Sequence, residues 1–393
     1  MDGSAAPGCA SEEPVTVAGS GRRGSRLTAA VLRMAVTAAL AGLVAACGTG
    51  ADSGQAGSTA AAALPASHVT ITESGSGLLY PLARTWAAAY GRQFPGVTVT
   101  TASTGSGKGI ALASAGKVGI GASDAYLSSG DLVQNPALLN IPLAVSAQTV
   151  IYNLPELSKG SHIRLDGAVL AGIYDGAVTK WNDPLIAALN TSLKLPDLTI
   201  VPVHRSDSSG DTFLFTSYLS TQDQGWNAST GYGTTALWPR VAGAKAADGS
   251  VDMMQDCEST PGCVAYNGIS YLSQALKGGL GEAELANSAG QFTLPTASAI
   301  ADSVDSFVSL TPPSETISMI DGPSAGGYPI VNYEYAVVST KQPSAASAAA
   351  IGAFLTWVIT TGNDASYLST VGFQPLSAAL VSLGRTQIGE IGT

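Results

Sequence analysis

The residues richest in chemistry run His-Arg-Ser-Asp-Ser-Ser-Gly-Asp-Thr over positions 204–212. Arg205 offers a charged fork of donors and Ser209 a hydroxyl. Gly210 gives a backbone that a ligand can approach closely, and Asp211 supplies a carboxylate. The apolar run 198–203 leads in and predicts a buried strand, while Phe213, Leu214 and Tyr218 follow at helical spacing. These groups therefore stand where a strand hands over to a helix. A helix N-terminus carries unpaired N–H groups and a partial positive charge, which makes it a seat for an anion.

Two further segments repeat the arrangement. Glu-Ser-Gly-Ser-Gly-Leu-Leu-Tyr-Pro (73–81) follows a strand-like run at 69–72 and opens a helix with Leu79, Leu82 and Trp86 on one face. Thr-Gly-Ser-Gly-Lys-Gly (104–109) follows a strand-like run at 97–100 and opens a short Ala-rich helix. One Ser-Gly loop before a helix carries little information. Three in one chain, each after a strand, predict several helix N-termini converging on one small oxyanion. Rival chemistries fail on the residues. A P-loop would need Gly at 102, where Ala stands, and Ser or Thr at 109, where Gly stands. His204, Ser209 and Asp211 suggest a hydrolase triad only on paper. A span that short on one strand–turn–helix seldom lets one side chain activate another, and no nucleophile elbow is present. No catalytic residue, cofactor or enzyme activity is expected.

The chain of 393 residues has room for two domains with real cores. Its formal net charge is −10, with no basic patch, which argues against nucleic acid as a partner. An acidic chain that binds an anion must do so with local dipoles. At the N-terminus, Arg22, Arg23, Arg26 and Arg33 precede an apolar, uncharged run over 34–46, too short to span a bilayer. It ends in Val-Ala-Ala-Cys-Gly (44–48), which resembles the lipobox of bacterial lipoproteins. A lipoprotein signal peptide is expected over 1–46, with lipidation at Cys47; an ordinary secretory signal is the alternative. Both Sec and twin-arginine export remain open. Residues 47–67 have the composition of a flexible tether. Cys257 and Cys263 flank a Pro-Gly turn, and outside the cytoplasm the first reading of such a pair is a disulfide. Only three His are present, none beside these Cys, so no metal site is expected.

Strand-like and helix-like runs alternate along the rest of the chain, which predicts α/β layers. Residues 141–153 and 329–338 form two long extended segments far apart in sequence. A two-segment hinge between two lobes would need such a pair; two ordinary central strands would look the same. No transmembrane helix is expected after Cys47.

Four motifs together resemble the PstS family, the phosphate-binding components of phosphate ABC transporters, and most of all its actinobacterial lipoprotein form. They are Ser-Gly-Ser-Gly-Leu-Leu-Tyr-Pro-Leu (74–82), Thr-Gly-Ser-Gly (104–107), Gly-Ala-Ser-Asp-Ala-Tyr-Leu-Ser (121–128) and His-Arg-Ser-Asp-Ser-Ser-Gly-Asp-Thr-Phe (204–213). The likeness extends over 68–393. It implies an α/β, two-lobed periplasmic-binding-protein fold of type II with a two-segment hinge. Lobe one would comprise 68–148 and 326–393, and lobe two 149–325. It also implies high-affinity extracytoplasmic capture of inorganic phosphate and delivery to the permease and ATPase subunits of an ABC transporter. The chain would be held at the cell membrane by its lipid anchor alone. The family's phosphate contacts fall on Ser76, Gly77, Leu78 and Leu79 in the first loop and Ser106 in the second. The others fall on Asp124 and on Arg205, Ser209, Gly210 and Asp211.

Two positions depart from the pattern. Gly77 or Leu79 stands where family members often have Thr, and Ser208 stands where Gly is usual. Residue chemistry agrees with phosphate. An ionised Asp only accepts hydrogen bonds, so beside an anion it requires a ligand that carries O–H. Phosphate has one at neutral pH and sulfate does not, so Asp124 would accept that proton and repel sulfate. Asp211 could act likewise, while Asp207 would pair with Arg205 and hold it in place.

Overall fold

In the computed structural model, residues 68–158 and 160–393 are described; the expected signal peptide, Cys47 and the tether over 47–67 lie outside them. Strands and helices alternate from the start. Val69–Gly75 forms β1, Val97–Thr100 β2, Ile120–Ser123 β3 and Leu138–Tyr152 β4. Arg164–Leu165 is β5, Val201–Arg205 β6, Lys245–Ala247 β7, Cys263–Gly268 β8 and Gly281–Glu282 β9. Glu284–Ala286 is β10, Phe292–Thr293 β11 and Val331–Ser339 β12. The main sheet runs β2-β1-β3-β12-β4-β8-β6-β7, with β9 also on β4, and β11-β10-β5 make a small separate sheet.

At each end of the main sheet the strands pair in parallel: β1 with β2 and β3, and β6 with β7 and β8. Parallel strands require crossovers, and here the crossovers are helices. Between these ends lie the two long expected segments. β4 pairs antiparallel with β12 from Leu138 to Ala147, then changes partner and pairs with β8 from Gln148 to Tyr152. One strand thus belongs to both halves, and the chain returns through β12. Both strands are buried along nearly their whole length, which is why they read as continuous apolar runs rather than alternating ones.

The strand expected over 198–203 begins only at Val201. Ile200 donates its N–H to the Thr179 carbonyl (2.9 Å), and Thr199 bridges Lys180, so the preceding residues are held by a loop instead. Cys257 and Cys263 are disulfide-bonded, joining the last turn of the Ser250–Glu258 helix to the start of β8. The stretch Ala345–Asn363 is long and apolar enough to cross a membrane by length and composition. Its helix, Ala345–Val358, nevertheless buries Ile351, Phe354, Leu355 and Val358 in the core.

Candidate functional site

The first loop is placed by two strand ends. Gly75 has φ of 150° and lies so close to the Ala122 backbone that a side chain there would collide. The N–H of Ser76 then donates to the Ala122 carbonyl at 2.9 Å. Ser76 is buried; its hydroxyl accepts from the Leu79 N–H (2.8 Å) and donates to the Asp124 carboxylate. Leu78 and Leu79 point their side chains into the core, and the Leu79 N–H is taken by Ser76, so Leu79, expected among the ligand contacts, leaves that role to the Leu78 backbone. The N–H groups of Gly77 and Leu78 meet no protein acceptor among the described residues. Their carbonyls accept from Tyr271 (3.1 Å) and Ser270 (2.7 Å), which belong to the other half of the chain.

Ser106 opens the second helix, Ser106–Ser114, and is fully buried. Its hydroxyl accepts from the Asp124 N–H at 3.1 Å. Asp124 follows β3 directly and is 1% exposed. Its Oδ1 is occupied by Ser76, whereas Oδ2 is buried without a partner. Gly210, the first residue of the third helix, packs against that oxygen: a side chain there would strike the Asp124 carboxylate and the Ser106 hydroxyl. The Gly107 N–H donates to the Ser208 carbonyl (3.1 Å), tying the second loop to the third. The three expected helix starts do converge.

Arg205 ends β6 and is 3% exposed. Asp207 grips it with two bonds, from Nε (2.6 Å) and Nη2 (2.5 Å), as the sequence suggested. Nη1 donates to Asp211 Oδ2 (2.5 Å) and to the Ser250 hydroxyl (3.2 Å). The Ser250 hydroxyl itself donates to Asp211 Oδ2 at 3.0 Å. With the Gln148 amide turned so that its oxygen accepts from the Asn267 N–H (2.9 Å), its nitrogen donates to Asp211 Oδ1 at 2.8 Å. Both Asp211 oxygens are therefore held by protein donors, and Asp124 alone of the two keeps one open. Ser209 caps its helix, its hydroxyl accepting from the Thr212 N–H (3.4 Å) and its own N–H donating to the Thr234 carbonyl (2.7 Å). The Gly210 and Asp211 N–H groups have no protein acceptor among the described residues.

Burial raises the carboxyl of Asp124; its hydrogen bonds and the nearby Arg205 oppose this without cancelling it. Burial likewise pushes Asp211 up to about 6, with Arg205 pulling the other way. Burial alone would lower Arg205, but Asp207 and Asp211 hold it above its ordinary value. A cavity of about 560 Å³ opens onto Arg205, lined among others by Tyr80, Lys108, Asp248 and Tyr271. Lys108 is thus a second cation at the mouth, beside Arg205.

Sequence reasoning missed Glu334, Ser250 and Gln148. Glu334 is an acid on β12 with no exposure, next to Ser76; an acid amid a buried strand was the only available signal. Ser208 needs no left-handed backbone where the family has Gly, and its hydroxyl donates to Thr234 at 3.0 Å. The His204 ring stacks on Trp238 with centroids 4.8 Å apart. Among the described residues no hydrogen bond joins His204 to Ser209 or Asp211.

A family profile described as a PBP superfamily domain matches residues 50–361. The chain is 31% identical over 313 residues to the phosphate-binding protein PstS of Xylella fastidiosa, covering 80% of this chain and 83% of the relative. It is 31% identical over 324 residues to the phosphate-binding protein PstS 3 of Mycobacterium leprae, covering 78% and 83%. A solved phosphate-binding protein from Stenotrophomonas maltophilia superposes with a TM-score of 0.61 at 21% identity, covering 81% of this chain and 93% of that one. At that identity the likeness is one of fold.

Proposed function

The chain belongs to the PstS phosphate-binding proteins of the PBP superfamily, and from this premise we propose that it captures inorganic phosphate outside the cytoplasm for an ABC transporter. The observation that carries the reading is the open, buried Oδ2 of Asp124 facing the N-terminus of the Gly210–Gln222 helix. Free backbone N–H groups at Gly77, Leu78, Gly210 and Asp211 receive the oxyanion. Ser106 and Ser209 supply hydroxyls, Ser76 spends its own on fixing Asp124, and Arg205 supplies charge. Asp124 accepts the ligand's own proton. Sulfate brings no proton and meets an unrelieved repulsion.

Residues 68–148 with 326–393 form one lobe and 149–325 the other. The partner change of β4 at Ala147 and Gln148 supports this boundary. Closure of the lobes buries the ion. A permease and an ATPase take the cargo onward, and binding requires no chemical step. Arg205→Ala tests the site. Charge-assisted hydrogen bonds are worth roughly 1.5–3 kcal/mol each, so phosphate should bind at least about tenfold more weakly by calorimetric titration. An unchanged dissociation constant would remove Arg205 from the site.

The lipobox-like 44–47 supports membrane attachment through Cys47. Cys47→Ala should then release the protein to the medium or leave it unprocessed. If the variant stays membrane-bound at mature size on fractionation, the anchor lies elsewhere.

A further inference from the structure

Asp124 is not the only acid behind the anion site. Glu334 reaches the same hydroxyl from β12: Ser76 Oγ bonds Asp124 Oδ1 and lies 3.3 Å from Glu334 Oε2. The two carboxyl groups are 1% and 0% exposed. Nothing cationic neutralises both. Arg205 commits its bonds to Asp207 and Asp211. The donors around Glu334 are neutral: the Ser146 hydroxyl lies 2.6 Å from Oε1 and 2.7 Å from Asn332 Oδ1, and the Asn332 amide donates to Oε1 (3.2 Å). Two buried acids beside one hydroxyl cannot both be ionised without large repulsion. The arrangement also says where a hydrogen belongs. Oε1 faces the Ser146 hydroxyl and the Asn332 amide, while Oε2, the oxygen turned toward Ser76, is the one placed to carry it toward Asp124.

We propose that Glu334 is a positioning residue for the anion site, holding one proton that it shares with Asp124. In that state Asp124 stays ionised, with Oδ1 fixed by Ser76 and Oδ2 left to accept the ligand's O–H. Burial and the neighbouring Asp124 both keep Glu334 in its neutral form. The other charged or titratable groups facing the pair are Arg205 from β6, Asp211 from the Gly210–Gln222 helix and Tyr271 from beyond β8. This inference rests on the phosphate reading for its consequence, though not for the proton itself. If Glu334 lost its hydrogen-bonding end, Asp124 would become the most easily protonated group of the pair. A protonated Asp124 donates, and a donor at that point welcomes sulfate.

The experiment compares the native protein with Glu334→Gln and Glu334→Leu. Gln is neutral, matches the shape and can still donate to Asp124. Phosphate and sulfate competition titrations at neutral pH should give Glu334→Gln a phosphate-over-sulfate preference within about threefold of native. Glu334→Leu should lose about tenfold or more, the size expected of one mispaired buried polar group. Equal losses in both variants, or none in either, would overturn the proposal. Infrared difference spectra of ligand-free native protein against Glu334→Gln read the proton directly and need no bound anion. They should show the loss of a protonated carboxylic acid; loss of a carboxylate band would overturn the proposal. If the native protein prefers neither anion, the phosphate reading falls, while the infrared result still decides Glu334.

Discussion

Asp124 and Asp211 are chemically the same group, and their surroundings give them different tasks. Asp211 is saturated by Arg205, Ser250 and Gln148, so it serves to aim the guanidinium. Asp124 has one oxygen fixed and one open, so it can recognise a ligand. The expected consequence is a change of ratio rather than of affinity. Asp124→Asn converts an acceptor into a group that also donates, so phosphate loses an acceptor but also a repulsion, and sulfate gains a donor. Phosphate-over-sulfate preference should fall by more than about tenfold. Competition titration of both proteins at one pH measures it; an unchanged ratio would mean that Asp124 does not receive the ligand's proton. The missing Thr in the first loop has its account at this scale too. Ser76 is committed to Asp124 and to the Leu79 N–H, leaving the backbone of Gly77 and Leu78 to face the ligand.

At the scale of elements, the sequence was legible where chemistry is local. A Ser-Gly turn between a strand and a helix leaves its signature within about ten residues, and all three such loops lie where their motifs put them. The disulfide was legible for the same reason, since a five-residue span with Pro-Gly leaves few geometries. Pairing across the sheet leaves no local trace. Glu334 lies within a run of buried residues on β12, and its partners Ser76, Ser146 and Asp124 come from three other segments. Gln148 read as one more residue of a long strand, yet it sits where β4 changes partner and reaches Asp211. The start of β6 was misread because apolar composition over 198–200 serves loop burial as well as a strand.

Across the whole molecule, the two halves meet through more than the site. Tyr126, two residues after Asp124, packs edge-on against Phe213 of the Gly210–Gln222 helix with centroids 5.4 Å apart, and Ser270 and Tyr271 hold the first loop. The same burial that makes a selective pocket has a cost elsewhere. Glu73 on β1 and Glu315 before β12 are pushed up to about 8 by burial, and Glu282 on β9 to about 7. All three start from a reference near 4.5. The folded chain therefore holds more protons than the unfolded chain between these limits, so stability must fall as pH rises through that window. Their stabilising effect is fully present below the unfolded value and is lost by the folded one. Asp211, raised to about 6, acts in the same direction. Each group contributes on the order of 1 kcal/mol per pH unit while it is ionised only in the unfolded chain. Scanning calorimetry of the ligand-free protein should give a Tm that declines from about pH 5 to about pH 8. Glu73→Gln should flatten part of that decline, because the amide has no proton to lose. A Tm that climbs steadily over the same range would mean that these glutamates are ionised in the folded protein, and with them the dry interior assigned here to both halves of the sheet would be wrong.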